Sequence, residues 1–331
     1  LPESDPVDFI VYYAPAPDLS NDAARQKLEQ NGKAGRQYLW YPEPKELWSH
    51  YASPSRTLAM RPIPPENAAK IKERLRQYQQ EGFLFGWYMA DEPLTSRFSP
   101  LYARDMYQLI QEAAPYHPAT MVFNAVNPAL LYGGYCDIAF IDFFPGYHTE
   151  GRNQPLENLA LMLNDTRKGL GPRKPILSAI PMFPYAPNRI PRYPTYLESR
   201  CLTFLSLVCG AQGIIWNSSH HLRCDLENYI GIPLITREIR ALKEVWLSTE
   251  EVALQLSGND AEAVYASAKM LRGEIYITAV NPHDRKLSVE IALPAALATA
   301  KLQELASTAS AVKVKDGKLS VDFDPLQVRL F

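Results

Sequence analysis

Gly82-Phe-Leu-Phe-Gly-Trp-Tyr-Met-Ala-Asp-Glu-Pro93 is an apolar and aromatic run that closes on two adjacent acids and a proline. A run of this kind, without alternating polar residues, reads as a strand buried on both faces, as in a parallel sheet covered by helices. Working outward, the same pattern recurs at residues 8–14, 37–41, 57–61, 120–126, 138–144, 175–183 and 213–218. Helical spacing fills most of the gaps. Ser20 is placed to cap residues 21–30, Pro64-Pro65-Glu66 opens 67–80, and Ser99-Pro100 opens 101–114. Residues 156–167 follow, then 196–209 begun by Thr195 and stopped by Gly210, and finally 236–247. The connections 41–57 and 126–138 are short or irregular, so two helices are expected to be reduced.

Eight such strands, each followed by a helix over about 240 residues, predict an α/β fold, a (β/α)8 TIM barrel. The texture changes near residue 256. Alternating segments at 263–268, 274–281, 287–293, 301–305, 318–323 and 327–331, punctuated by Asn281-Pro282 and Asp316-Gly317, predict a small antiparallel β-sandwich domain. The expected division is a barrel over residues 1–255 and a β-domain over 256–331.

Composition narrows the function. The 331 residues are 47% hydrophobic and 21% charged with a formal net charge of −2, so a sizeable core is available and disorder is not expected. The absence of a basic footprint argues against nucleic acid or an anionic membrane surface as partner. No apolar stretch reaches the roughly 20 residues of a transmembrane helix. The chain starts at Leu1 without an initiator Met, which points towards removal of an export leader and a periplasmic, surface-anchored or extracellular location. Cys136, Cys201, Cys209 and Cys224 lack disulfide or metal spacing and read as free thiols. No cofactor and no metal are expected, and the 19 Tyr and 5 Trp suit a carbohydrate partner stacked on aromatic faces.

In barrels of this class the chemistry sits at the C-terminal ends of the strands. Polar residues closing the apolar runs are therefore the candidates. Asp91, Glu92 and Asp142 are the candidate catalytic acids, and Tyr12, Trp40, Arg61, Asn124, Tyr147, Trp216, Asn217 and His220 the candidate substrate contacts. Carboxyl groups ringed by aromatics and amides fit glycoside chemistry, in which one acid protonates the leaving oxygen and a second assists at the anomeric carbon. Strand alternation sets Gly86, Tyr88, Ala90 and Glu92 on one face and Trp87, Met89 and Asp91 on the other. The face with the small residues suits the crowded interior, so Glu92 is expected to point into the site as general acid/base, its pKa raised by desolvation. The competing structural readings are that Asp91 caps a turn while Glu92 pairs with Arg61, that Asp142 caps its loop, and that Trp216 is core. Three acids could instead ligate Mg²⁺.

The segments Gly86-Trp-Tyr-Met-Ala-Asp-Glu-Pro93, Asp137-Ile-Ala-Phe-Ile-Asp-Phe-Phe-Pro145 and Arg192-Tyr-Pro-Thr-Tyr-Leu-Glu-Ser-Arg200, leading through Gly210-Ala-Gln-Gly-Ile-Ile-Trp216, resemble the (β/α)8 glycoside hydrolases that carry their acid/base on the fourth strand. More narrowly they resemble a loosely characterised group of bacterial glycosidases with a C-terminal β-domain. The resemblance implies glycosidase activity and an acid/base role for Glu92. One departure stands out: retaining enzymes of that clan place a nucleophilic Glu at the end of the seventh strand, whereas Lys174-Pro-Ile-Leu-Ser-Ala-Ile-Pro-Met-Phe183 holds no acid. Substrate-assisted hydrolysis through the Asp91-Glu92 pair, a second carboxylate from Asp142, Asp225 or Glu227, and an inactive glycan-binding site all remain open at this stage.

Overall fold

The computed structural model describes residues 9–47, 62–145, 154–184, 192–217, 224–294, 302–305, 311–312 and 314–331. Seven strands form one sheet in sequence order: β1 (Phe9–Pro15), β2 (Gln37–Tyr41), β3 (Leu84–Asp91), β4 (Ala119–Phe123), β5 (Ile138–Ile141), β6 (Ile176–Pro181) and β7 (Gly213–Asn217). Every described pairing among them is parallel. The helices that alternate with them are α1 (Asp22–Lys33), α2 (Pro65–Tyr78), α3 (Pro100–Ala113), α4 (Val126–Tyr132), α5 (Glu157–Leu170), α6 (Tyr196–Val208) and α7 (Leu226–Ala241), with a short α8 (Lys243–Trp246) after them.

Seven of the eight expected strands lie among the described residues. The run 57–61, with Arg61, lies outside them, and β2 pairs directly with β3 through Tyr38 with Leu84 and Trp40 with Trp87. No strand stands between the two, so the segment ending in Asp91-Glu92 is the third strand of the sheet and not the fourth.

Local chemistry sets the helix ends. Asn21, rather than Ser20, caps α1 by accepting from the Ala24 backbone N–H, and Ser99 caps α3 through Leu101 N–H. Thr195 and Glu198 close a reciprocal capping box on α6. The last expected helix begins ten residues early, at Leu226, where the Asp225 side chain accepts from Asn228 N–H.

Compactness divides the chain into two units, one of Pro2–Asp142 with Thr166–Ile176 and the other of Phe143–Asp165 with Leu177–Phe331. In the first unit, Trp40 stacks on Tyr38 with centroids 4.9 Å apart, and both Trp40 and Trp87 meet Tyr78 of α2 edge-on. This is the layer between sheet and helices. On the opposite face Tyr88 lies edge-on to Tyr41 and 6.3 Å from Phe140. Burying each such ring stabilises the fold by about 1.5–3 kcal/mol.

The second unit carries two four-stranded antiparallel sheets. One has β8 (Glu251–Val252), β10 (Tyr265–Leu271), β11 (Glu274–Val280) and β17 (Val328–Leu330); the other has β9 (Gln255–Ser257), β12 (Leu287–Ala292), β15 (Val314–Lys315) and β16 (Lys318–Phe323). A separate pair, β13 (Leu302–Gln303) with β14 (Ala311–Val312), adds a small ribbon. Ala268 and Ile277 from the first sheet share one buried cluster with Val289, Leu319, Val321 and Phe323 from the second. Asp316 and Gly317, both at positive φ, make the two-residue turn into β16 that the sequence signalled. Helix α6 packs on this layer: the Cys201 thiol donates to Asn281 O and Arg200 donates to Val328 O.

Candidate active site

The register of β3 against β4 decides which face of the sheet each acid takes. Tyr88 pairs with Thr120, but Ala90 pairs with Met121 and Asp91 with Val122, so Met89 is an extra residue in the strand, a β-bulge. Thr120 and Val122 are two residues apart and share a face; their partners Tyr88 and Asp91 are three apart and share it too. The same face continues onto β5, where Ile138 and Phe140 pair with Thr120 and Val122 and Asp142 follows at the next even position. Uniform alternation, which set Asp91 opposite Tyr88, is therefore corrected. The Tyr88 hydroxyl instead donates to Asp91 Oδ1 at 2.9 Å.

Glu92 leaves the strand at φ 44°, in the left-handed region that a non-glycine residue occupies at a cost. The following turn holds it there. Ser96, 4% exposed, donates its hydroxyl to Asp91 O and its N–H to Glu92 O, and Phe98 N–H donates to Pro93 O. Across the same end of the sheet, Asp142 N–H donates to Phe123 O.

These placements set the electrostatics. Burial pushes Asp142 up to about 9, with the negative charges of Glu92 and Asp91 adding to it. Its Oδ1 is enclosed and has no hydrogen-bond partner among the described residues. Burial also raises Asp91, to about 6; the Tyr88 hydrogen bond pulls the other way and the Glu92 charge adds to the rise. At neutral pH the trio thus holds a proton on Asp142 beside a charged Asp91, a separation of roles that general acid–base chemistry requires. Among the described residues no three His, Cys, Asp or Glu side chains are grouped to hold a metal ion.

The other sequence candidates are not gathered in the same way. Trp40, expected as a substrate contact, is 3% exposed and enclosed on the helix-facing side of β2. Asn124, half-buried, directly follows β4. In the other unit Trp216 packs with Met182, Ile232, Ile235 and Tyr196, and the Asn217 carbonyl accepts from Met182 N–H. Tyr12 lies on β1, its side chain outside the described set, and Arg61, Tyr147 and His220 lie outside the described residues. Asp225 is used as the α7 cap, and Glu227 accepts from Tyr196 N–H.

Glu43 was missed. It is fully buried just beyond β2 and accepts a hydrogen bond from the Tyr102 hydroxyl of α3. The signal was available: Pro42-Glu43-Pro44 closes an apolar run on an acid, as Asp91-Glu92-Pro93 does.

No protein-family profile and no curated protein sequence matches the chain. Solved structures do. A debranching enzyme from Nostoc punctiforme superposes with a TM-score of 0.63, covering 98% of this chain and 85% of its own at 13% identity. An α-amylase from Anoxybacillus gives 0.55 over 92% and 78% at 12% identity. A GH30 endoxylanase from Clostridium papyrosolvens gives 0.53 over 95% and 84% at 10% identity. The fold is thus one shared with barrel-fold glycoside hydrolases, the class that the strand-end motifs resemble. Among the described residues no helix is long and apolar enough to cross a membrane.

Proposed function

We propose that the protein is a glycoside hydrolase whose catalytic acids are Asp142, Glu92 and Asp91. One observation carries the reading: three carboxyl groups interact at the C-terminal ends of β3 and β5, and one of them is pushed to about 9. Asp142 brings the proton for the leaving oxygen. Asp91 and Glu92 supply negative charge for the oxocarbenium-like centre, as nucleophile or as base towards water. Glu92 keeps a role in proton transfer because it stands, half-buried, at the mouth of the turn. The parallel sheet is read as a closed barrel and the two antiparallel sheets with their common core as a β-sandwich. Sugar contacts are assigned to Asn124 and, by their sequence positions, to Tyr12, Arg61, Tyr147, Asn217 and His220.

The test is hydrolysis of a panel of aryl glycosides, starch-type α-glucans and xylan, polymers chosen because the structural neighbours include amylases and a xylanase. Asp142→Asn is expected to lose about 10²–10⁴-fold on unactivated substrates while retaining turnover of dinitrophenyl glycosides, whose leaving group needs no acid. Glu92→Gln and Asp91→Asn are expected to lose activity on both kinds. Glycan binding by the wild type with no hydrolysis on any substrate would replace the enzyme with a binding module.

A further inference from the structure

Tyr88 is fully buried, yet its hydroxyl is used on an ionisable side chain three residues along its own strand. In a regular strand residues i and i+3 point to opposite faces, so that bond cannot form. It exists here because Met89 is inserted between them. The ring is fixed on two sides, edge-on to Tyr41 of β2 at 5.2 Å and tilted against Phe140 of β5 at 6.3 Å, so the hydroxyl has little freedom. At the other end of the bond, the Asp91 backbone is fixed by the Ser96 hydroxyl. Both partners are thus pinned by groups that do not themselves reach the Asp91 carboxyl group.

We propose that Tyr88 is the positioning residue for Asp91, holding one carboxylate oxygen through the bulge-made hydrogen bond so that the other is presented to the substrate. The proposal rests on the hydrolase reading above for its catalytic part. A donor fixed on one oxygen favours the charged form of Asp91 and fixes its rotamer, as an orienting group does for a nucleophile or base. The titratable groups acting on Asp91 among the described residues are Tyr88 on its own strand and Glu92 in the turn, while Asp142 beyond β5 still holds its proton where Asp91 titrates. Glu92 disfavours its charge and Tyr88 favours it.

The experiment is a ¹³C-carboxyl NMR titration of aspartate-labelled protein, with the Asp91 signal assigned by its loss in Asp91→Asn. In the wild type the midpoint is expected near 6. In Tyr88→Phe, which keeps the ring and its packing, it moves upward. Tyr41→Phe, which removes a neighbouring hydroxyl that does not bond Asp91, leaves it in place. In parallel, Tyr88→Phe lowers kcat by about tenfold or more with KM little changed, and the acidic limb of the kcat profile moves up with the NMR midpoint. An unchanged Asp91 midpoint in folded Tyr88→Phe overturns the proposal whatever the kinetics. A moved midpoint in a protein that hydrolyses no glycan supports the role of Tyr88 and overturns the hydrolase reading instead.

Discussion

At the scale of single residues, the site is defined by where charge is hard to keep. Asp142 titrates near 9 in the folded chain and near the ordinary 3.8 when unfolded, so the native state holds the extra proton between those values. Stability from this group is fully present below the unfolded value and is lost as pH rises through the folded one. Chemical-denaturation midpoints are therefore expected to fall between about pH 5 and 9, and Asp142→Asn should flatten that slope. A wild-type slope unchanged in the variant would remove the buried proton from the account. Glu92 carries a different burden, its φ of 44°. An ordinary L-residue in that region is disfavoured by roughly 1–2 kcal/mol, and Asn less so. Glu92→Asn is expected to raise stability by about 0.5–1 kcal/mol in a denaturant titration while hydrolysis is lost, the trade expected of strain kept for function.

At the scale of elements, β3 is held close to its neighbour. A methyl group on Gly86 would stand 2.4 Å from Pro118 O, a backbone atom with no freedom to retreat. Gly86→Ala is expected to cost about 1–3 kcal/mol, read from the shift in denaturation midpoint. Elements of this kind were legible in the sequence. The continuous apolar runs gave β2 to β7 nearly at their observed limits, and Ser99, Thr195 and Gly210 marked real helix ends. The phase within β3 was not legible. Alternation counts residues, and nothing in Gly86-Trp-Tyr-Met-Ala-Asp-Glu-Pro93 announces that Met89 is extra; only pairing with β4 does. Trp40 failed for a related reason, since a residue at a strand end faces the helices or the interior according to a phase that β2 alone does not state. Asp142 needed no such help, because β5 is regular from Ile138 onward.

At the scale of the whole molecule, apolar burial reaches into groups that could otherwise react. Burial pushes the Cys136 and Cys209 thiols up to about 12 and raises Cys201 as well, while Cys224 is exposed. Thiols so raised, with Cys136 and Cys201 buried and Cys209 half-buried, are poor nucleophiles. The native protein is expected to take up one alkyl group from iodoacetamide near pH 8 and four after denaturation, counted by intact mass; more than one in the native state would show that these layers open readily. The first of those layers lies under α6, where the same helix that holds Cys201 also lays Arg200 against β17. The second unit is therefore a mixed α/β body, and the change of texture near residue 256 marks a change of strand pattern within it.

The additional residue in β3 also determines how far this site can travel. A designer copying Tyr88, Asp91 and Asp142 onto an idealised barrel by their strand positions would obtain the right side chains with the tyrosine and its aspartate on opposite walls. The transplant works only if the irregular backbone at Met89 goes with it, so the smallest portable unit is a strand with its defect and not a set of three residues.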